Sequence, residues 1–463
     1  MANDPTDTDG SAESREASPL DRFLRLFSDV NAGEGRLALL MVTNLFVIML
    51  CYYVIKTVRE PLVQTSGGGE LSGGQLKTYA AGAQALVLMV AVPAYARLVS
   101  AVETSRLIRY VTLFFAANIG LFYLLAQLGT PGLGFIFYVW VGIFSLATIA
   151  QFWSYANDVY DKPTGERIFP IVALGATAGA AVGSLLARTL FKSGFGAYNM
   201  LLLSGALLLS TLAFYRASDR SRPRSRLGGD TGDDAEEPQV EAGAGFDLVF
   251  KNRYILLIAV LLILLNLVNT LGEYVLAELV GAAADEALAA GTAQDKGDFI
   301  GAFYGEFFTV VNVTGVVLQA FVASRLVKYF GIAGVLFLLP IVSLGTYAFA
   351  AVGVPFVLFR WLKTAENSTD YSVMNTAKAM LWLPTSRAEK FAAKQAVDTF
   401  FVRLGDVIAA VLVFVGTGFL GLGLEGFAAV NVVVVLAWLG VAWTLRRRYQ
   451  SLAPPAADEP VAS

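Results

Sequence analysis

The sequence predicts an all-α polytopic membrane protein with twelve transmembrane helices in two groups of six. The 463-residue chain is 56% hydrophobic and only 15% charged, whereas a soluble domain carries about 25% charged residues. Its mean hydropathy is +0.61. Uncharged runs long enough to cross the hydrocarbon core of a bilayer recur along the chain, beginning with Leu37 to Ile55.

Each group of spans follows from these apolar runs. The first six predicted spans lie at about 37–55, 78–96, 110–128, 133–157, 168–187 and 194–215. The second six lie at about 254–272, 307–324, 331–350, 353–375, 396–424 and 427–445. The uncharged stretch from Tyr329 to Phe359 must contain a turn, and Gly353-Val354-Pro355 is the predicted break.

The connections complete the predicted domain organisation. It comprises a cytoplasmic tail with an amphipathic helix (1–35), a six-helix bundle (36–215), a cytoplasmic linker (216–253), a second six-helix bundle (254–446) and a cytoplasmic tail (447–463). The linker is a basic block followed by an acidic one, as expected of a solvated segment. Ser18-Pro19 predicts the start of the amphipathic helix. This helix either lies on the membrane surface or packs against the protein's own loops.

The distribution of basic residues predicts the orientation. Lys and Arg are concentrated in the connections that share a side with the N-terminus, which the positive-inside rule places in the cytoplasm. Both termini are therefore predicted to be cytoplasmic, in a multi-pass protein of a bacterial inner membrane. Two six-helix bundles joined by a long cytoplasmic linker form a major-facilitator-like arrangement, in which binding sites lie between the halves.

The composition also excludes several kinds of chemistry. Cys51 is the single cysteine and the chain has no histidine, so an intrachain disulfide, a cysteine metal cluster and histidine chemistry are excluded. No catalytic constellation is visible, and we predict no enzyme activity, no cofactor, no metal site and no nucleic-acid partner. The lipid bilayer and a small anion are the predicted partners.

Charged residues inside predicted spans are costly and indicate function or pairing. A helical projection places five of them on one face, beside Tyr371: Arg360, Lys363, Glu366, Asp370 and Lys378. They form either a polar stripe facing the bundle interior or a ladder of salt bridges. Lys378 has no acidic residue one helical turn away, which favours ligand binding.

Other clusters have two interpretations each. Lys56 and Arg59, followed by Glu60, either snorkel at the membrane edge or point into a cavity. Lys394, Asp398, Arg403 and Asp406 enter the eleventh span, where Asp398 and Arg403 form either an ion pair or a gate. Glu273 and Glu306, each alone in an apolar helix, are either coupling sites or membrane-edge residues. Three glycines four residues apart predict close helix packing: Gly175, Gly179 and Gly183.

Several of these clusters resemble motifs of the nucleotide transporter family, the ATP/ADP translocases. The matching stretches are KTVRE at 56–60, WSYAN at 153–157, RIFP at 167–170, DYSVMNTAKAMLWLP at 370–384 and KQAVD at 394–398. The chain departs from the family where two of its glutamates fall on Gly142 and Asn269, where a lysine falls on Asp370, and where a further glutamate falls on Ala379. The resemblance implies the fold more strongly than it implies strict ATP/ADP exchange.

The resulting hypothesis is an alternating-access carrier of an anionic, phosphorylated or nucleotide-like solute. The predicted substrate-binding residues are Lys56, Arg59, Asn157, Arg360, Tyr371 and Lys378. The predicted coupling or gating residues are Glu60, Glu273, Glu306, Asp370, Asp398 and Arg403. The alternative is a membrane scaffold or sensor that kept the bundle and lost transport.

Overall fold

The computed structural model describes residues 18–25, 30–67, 69–221 and 244–452. These residues are almost entirely helical, and no strand occurs among them. The all-α membrane class is thus confirmed. Most of the predicted N-terminal tail, the central part of the linker and the C-terminal tail from 453 lie outside the described residues.

The first half of the chain begins with the short helix α1 (Pro19–Leu24). Six long helices follow it: α2 (Gly35–Thr65), α3 (Gly73–Ala101), α4 (Thr104–Gln127), α5 (Leu133–Val159), α6 (Lys162–Lys192) and α7 (Ala197–Ser221). We call α2 to α7 the N-terminal half. Cys51 is buried inside it, where its thiol donates a hydrogen bond to the carbonyl of Ser204.

The second half begins with α8 (Ala244–Lys251), a short helix that precedes the long ones. The others are α9 (Arg253–Ala289), α10 (Lys296–Val317), α11 (Ser324–Ala351), α12 (Phe356–Thr369), α13 (Asn375–Leu381), α14 (Arg387–Ala396), α15 (Val402–Gly418) and α16 (Leu424–Leu452). We call α9 to α16 the C-terminal half. Three wider π-helical turns continue these helices: Leu318–Ala323, Asp370–Met374 and Val397–Phe401.

Among the described residues, ten helices are long and apolar enough to cross a membrane. This count takes Lys296–Ala351 as one helix, although Gly331 breaks it with φ 58° and ψ −148°. It does not include the charged stretch from Phe356 to Leu381. The number of twelve spans therefore stays a prediction. The predicted break at Gly353 is confirmed, because α11 ends before it and Gly353 has φ 79°.

The short helix α1 packs on the protein itself. Ser18 caps it, since the Asp21 N–H donates to the Ser18 hydroxyl at 3.1 Å. The Asp21 carboxylate in turn accepts from the N–H groups of Gly33 and Gly35 at 3.1 and 2.9 Å. Leu24 is buried with residues of α2. Of the two predicted interpretations, the structure favours packing against the chain's own loops.

Glycines allow the closest helix contacts. A Cβ added at Gly175 or Gly179 would collide with backbone carbonyls of α2, and one at Gly183 would lie 2.6 Å from the Leu50 carbonyl. The predicted packing role of this stripe is confirmed. The two halves meet mainly where α6 packs on α10 and α3 packs on α15. At the first of these contacts, a Cβ on Gly305 would lie 2.7 Å from the Arg188 amide nitrogen.

Candidate functional site

A cavity of about 270 Å³ lies between the halves and is lined from both. Its wall holds an unusual number of charged side chains for the interior of a membrane bundle. These are Lys56, Arg59, Glu60, Lys77, Glu273, Arg403 and Asp406. We call this space the central cavity.

The basic turn of α2 reaches the central cavity because nothing in the sequence ends the helix before it. The helix α2 continues beyond its apolar run, through Lys56 and Arg59, as far as Thr65. The two cations lie one turn apart and therefore share a helical face. Lys56 is only 9% exposed, and both side chains line the cavity. The snorkelling interpretation is wrong for this pair, whereas their role in binding stays a prediction.

Lys56 occupies an aromatic environment. Its Nζ lies 4.4, 5.1 and 5.6 Å from the ring centres of Phe308, Tyr53 and Tyr371. These are distances at which a ring face attracts a cation. The Nζ donates one long hydrogen bond, of 3.4 Å, to the Tyr371 hydroxyl. Within the described ranges, no carboxylate forms an ion pair with Lys56.

Lys77, on α3, is the centre of a buried charge network. Its Nζ lies 2.8 Å from Glu60 Oε2 and 3.0 Å from Glu273 Oε2, and it also donates to the Tyr304 hydroxyl at 3.1 Å. Arg59 Nε donates to the other Glu60 oxygen at 3.1 Å. The network joins the halves, because Glu60 and Lys77 come from the first and Glu273 from the second.

Sequence reasoning did not single out Lys77. The available signal was a lysine immediately before a predicted span, on the side where the positive-inside rule disfavours basic residues. Neutral polar residues of the cavity other than Asn269 were also missed, because amides and hydroxyls are common in any helix. The cavity includes Gln84, Asn266, Asn269, Thr270 and Asn367.

Glu273 and Glu306, each predicted to be alone in its own apolar helix, have partners on other helices, and their role in coupling stays a prediction. Besides Lys77, Glu273 accepts a hydrogen bond of 3.1 Å from the Asn367 amide. Glu306 forms ion pairs with Arg188, at 2.8 Å, and with Arg360. All of these partners come from other helices, which a projection of a single helix cannot show. Arg360 and Glu306 line a separate cavity of about 600 Å³ that also includes residues 292–295.

The charged residues predicted to form one polar stripe over 360–378 do not share a single environment. Lys363 and Glu366 form a buried pair, with 3.0 Å between Nζ and Oε2, and Tyr347 donates to Glu366 at 2.9 Å. The salt-bridge alternative is therefore confirmed for these two residues. Tyr371, by contrast, lines the central cavity.

Lys378 has an acidic partner, contrary to prediction. Its Nζ lies 3.2 Å from Asp370 Oδ1. The π-helical turn Asp370–Met374 is wider than an α-helical turn of 3.6 residues, so residues eight apart can share a face. Both side chains line a second cavity of about 450 Å³ that also contains Lys394 and Asp398. Lys378 therefore does not meet Arg59 in the central cavity.

The remaining predicted residues are dispersed. Arg403 lies 4.0 Å from Asp406, and the predicted pair with Asp398 is not formed. Asp406 Oδ1 accepts from the Thr270 hydroxyl at 2.6 Å. Asn157 is exposed at the end of α5, away from the central cavity.

Two of the four family departures, at Gly142 and Asn269, have polar amides at or beside them. A Cβ on Gly142 would collide with the side chain of Gln84, so the amide of Gln84 occupies the space beside this position. Asn269 accepts a hydrogen bond of 3.2 Å from Lys363. Neutral amides thus stand at or beside both positions where the resemblance places glutamates.

Two helical halves that enclose a charged cavity are an arrangement found in membrane transporters, and solved structures of that class share the fold. The nucleoside transporter NupG (D323A mutant) superposes with a TM-score of 0.61 at 14% identity, covering 90% of this chain and 100% of that one. A bacterial homologue of the lysosomal transporter Spinster, in an inward-facing and unoccupied conformation, gives 0.61 at 13% identity, covering 92% and 99%. The major-facilitator-like fold is confirmed.

The family follows from the sequence match. The model of the TLC ATP/ADP transporter family matches residues 134–449, and the chain belongs to this family. The chain is also 21% identical over 374 residues to ADP,ATP carrier protein 1 of Chlamydia trachomatis. This match covers 71% of this chain and 69% of that carrier. The predicted membership of the nucleotide transporter family is confirmed, as is the prediction of a transporter rather than an enzyme.

Proposed function

We propose that this chain is an alternating-access carrier that moves a phosphorylated, nucleotide-like anion through the central cavity. The observation that carries the proposal is Lys56, a buried cation that lines the cavity and has no carboxylate partner among the described residues. An unpaired buried charge is costly. A bound anion would remove that cost and would therefore stabilise the protein.

Arg59 supplies the second contact. A guanidinium has five N–H donors in a fork that matches a phosphate, and Glu60 accepts from only part of that fork. The guanidinium also stacks on Tyr138, 4.1 Å from the ring centre, which holds it in place. Tyr371 offers a ring on which a base stacks. The relative's name specifies ADP and ATP, which supports a nucleotide-like solute here.

The contacts between halves support a change of access. Polar contacts between the halves occur on the side of the bundle that carries the α2–α3 and α9–α10 connections, where Arg188 binds Glu306 and Lys77 binds Glu273. Transport requires these contacts to break and others to form at the opposite end. Lys378 and Asp398 line the second cavity, on the route to that opposite end. We place the carrier in a bacterial inner membrane with both termini cytoplasmic.

Thermal unfolding of the purified full chain tests the proposal. Phosphorylated compounds (AMP, ADP, ATP, a sugar phosphate and inorganic phosphate) are compared with adenosine. A bound compound at about 100 times its Kd adds about 2.7 kcal/mol of stability, so the phosphorylated compounds should raise Tm and adenosine should not. Lys56→Met should raise Tm without ligand and lose the response, while the exposed Lys328→Met retains it.

Uptake into proteoliposomes separates carrier from sensor. Labelled compounds that raise Tm should accumulate or exchange. Ligand response without flux would support the alternative of a membrane scaffold or sensor, for which the loss of two family glutamates at Gly142 and Asn269 is the favouring observation. If no anion raises Tm and none accumulates, the proposal is overturned.

A further inference from the structure

We infer that the carboxylates of the central cavity set the charge of the anion it accepts, and that Glu273 restricts it to a phosphate monoester over a di- or triphosphate. The inference rests on the proposed function, because it concerns the same cavity. It is carried by the donors that remain free in the cavity, by the balance of charge and by the space available.

Lys77 has no donor left for a ligand. An ammonium group has three N–H donors. The Nζ of Lys77 has three acceptors within 3.1 Å: Glu60, Glu273 and the Tyr304 hydroxyl. A phosphate can therefore bind Lys77 only by displacing one of them, and each carboxylate would also repel it.

Three cations of the central cavity keep free donors: Lys56, Arg59 and Arg403, of which Arg403 has a carboxylate neighbour, Asp406, at 4.0 Å. The only hydrogen bond of Lys56 within the described ranges is the long one to Tyr371, so most of its ammonium is unsatisfied. Arg59 shares Nε and one terminal nitrogen with Glu60 and keeps the remaining donors. The ammonium of Lys56 and part of the guanidinium of Arg59 suffice for a single phosphate group, and the carboxylate of Asp406 offsets the charge of Arg403.

The balance of charge agrees with this count. With all groups ionised, four cations and three carboxylates line the cavity, which leaves an excess of one positive charge. A phosphate monoester carries about −1.5 to −2 at pH 7. Each further phosphate adds negative charge within a wall that already holds Glu60 and Glu273. The cavity, at about 270 Å³, is also just below the roughly 300–1,000 Å³ typical of ligand pockets.

Glu273 is the carboxylate best placed to control this selectivity. Its side chain is 21% exposed in the pair with Lys77, whereas the side chain of Glu60 is completely buried. Oε1 of Glu273 accepts from Asn367, and Oε2 contacts Lys77. Glutamine at this position would preserve an oxygen for one of these donors and would remove the charge. Lys77 would then be available to a second phosphate.

The test is a comparison of AMP, ADP and ATP binding to the purified full chain by calorimetry, in EDTA and at matched ionic strength. EDTA is required because bound Mg²⁺ would cancel part of the charge of ATP. The wild type should bind AMP most tightly. Glu273→Gln should lower the ratio of the ATP Kd to the AMP Kd by about tenfold, as expected for one new charge-assisted hydrogen bond.

Two variants control for simpler explanations. Glu366→Gln removes a buried carboxylate paired with a lysine outside the central cavity, and it should lower Tm without changing the ratio. Glu103→Gln removes an exposed carboxylate and should change neither. If Glu273→Gln does not fold, Asp406→Asn removes a negative charge from the same cavity and should lower the ratio in the same direction.

The outcomes are distinct. A wild type that binds ATP more tightly than AMP overturns the inference, and so does an unchanged ratio in Glu273→Gln or in the substitute Asp406→Asn. In either case anion binding itself persists and the proposed function stands. A wild type that binds none of the three overturns the proposed function instead.

Discussion

Lys77 of the N-terminal half and Glu273 of the C-terminal half form an ion pair inside the membrane bundle, with 3.0 Å between Nζ and Oε2. Because each residue belongs to a different half, the pair breaks whenever the halves separate at this point. Glu60 shares the same ammonium group, so Lys77 retains a partner in its own half when Glu273 withdraws.

Removal of Lys77 should be costly to the fold. Lys77→Met leaves Glu273 without a cation and should lower the free energy of unfolding by about 3 kcal/mol, the lower end of the cost of breaking a buried pair, because Glu273 is partly exposed. Chemical denaturation in detergent measures this loss. The double variant Lys77→Met/Glu273→Gln should recover part of it. If Lys77→Met unfolded at the same denaturant concentration as the wild type, the pair would contribute nothing to the free energy of unfolding.

Lys378 is expected to affect transport more than ligand affinity. Its pair with Asp370 is partly exposed, so Lys378→Ala should lower stability by no more than about 1 kcal/mol. The residue lines the second cavity, so the Kd of AMP should stay within about twofold while the rate of proteoliposome uptake falls. Calorimetry and uptake on the same preparation check both. Loss of AMP binding would instead place Lys378 in the binding site.

Gly305 should control the contact between the halves. In Gly305→Ala the new Cβ would lie 2.7 Å from a backbone nitrogen of Arg188, so α10 must move away from α6, at a cost of about 1–3 kcal/mol. Thr78 lines the central cavity, so a cysteine introduced there in a Cys51→Ser chain reports access to the cavity. Its rate of labelling by a thiol reagent should rise several-fold in Gly305→Ala.

The matched control for this substitution is Gly345→Ala, on α11. Its Cβ would have nothing within 4 Å, so the change should stabilise the helix by about 0.5–1 kcal/mol and leave labelling unchanged. Equal labelling in both variants would show that the contact at Gly305 does not limit access to the cavity.

Asp21 should make the attachment of α1 sensitive to acid. Burial raises the pKa of this carboxyl, but hydrogen bonds from Gly33, Ser18 and Gly35 outweigh it and hold the pKa below its ordinary value of 3.8. Since the folded pKa is the lower one, the stabilisation is complete above the unfolded value and is lost as pH falls through the folded value.

The corresponding experiment is limited proteolysis near α1 at pH 7 and at pH 3. The wild type should be cleaved faster at pH 3. Asp21→Asn should be cleaved faster at pH 7 already, because loss of a buried carboxylate acceptor costs about 1–3 kcal/mol, and its rate should change less with pH. An equal pH response in both proteins would contradict the role of Asp21.

Sequence periodicity and composition were sufficient for the fold class, because span length, glycine spacing and the Gly353 break are local properties. They also placed Lys56 and Arg59 among the candidates. They failed where partners come from different helices: Arg188 and Arg360 meet at Glu306, and Lys77 meets Glu273. Pairing of this kind depends on how the helices pack against one another, and a single sequence gives no direct information about that packing.

The projection of residues 360–378 failed for another reason. It assumed 100° per residue throughout, but the turn Asp370–Met374 is π-helical. Every position after this turn is rotated relative to the positions before it. Lys378 therefore returns to Asp370 instead of following Arg360. No residue type in DYSVM marks such a turn in advance.

The three π-helical turns also make the two halves mechanically unequal. All three of those described belong to the C-terminal half, and Leu318–Ala323 packs on Asp370–Met374. Such turns have a looser hydrogen-bond ladder than an α-helix. We therefore expect bending within helices to be concentrated in the C-terminal half, while the N-terminal half moves as a rigid body. The two halves then contribute unequally to the motion.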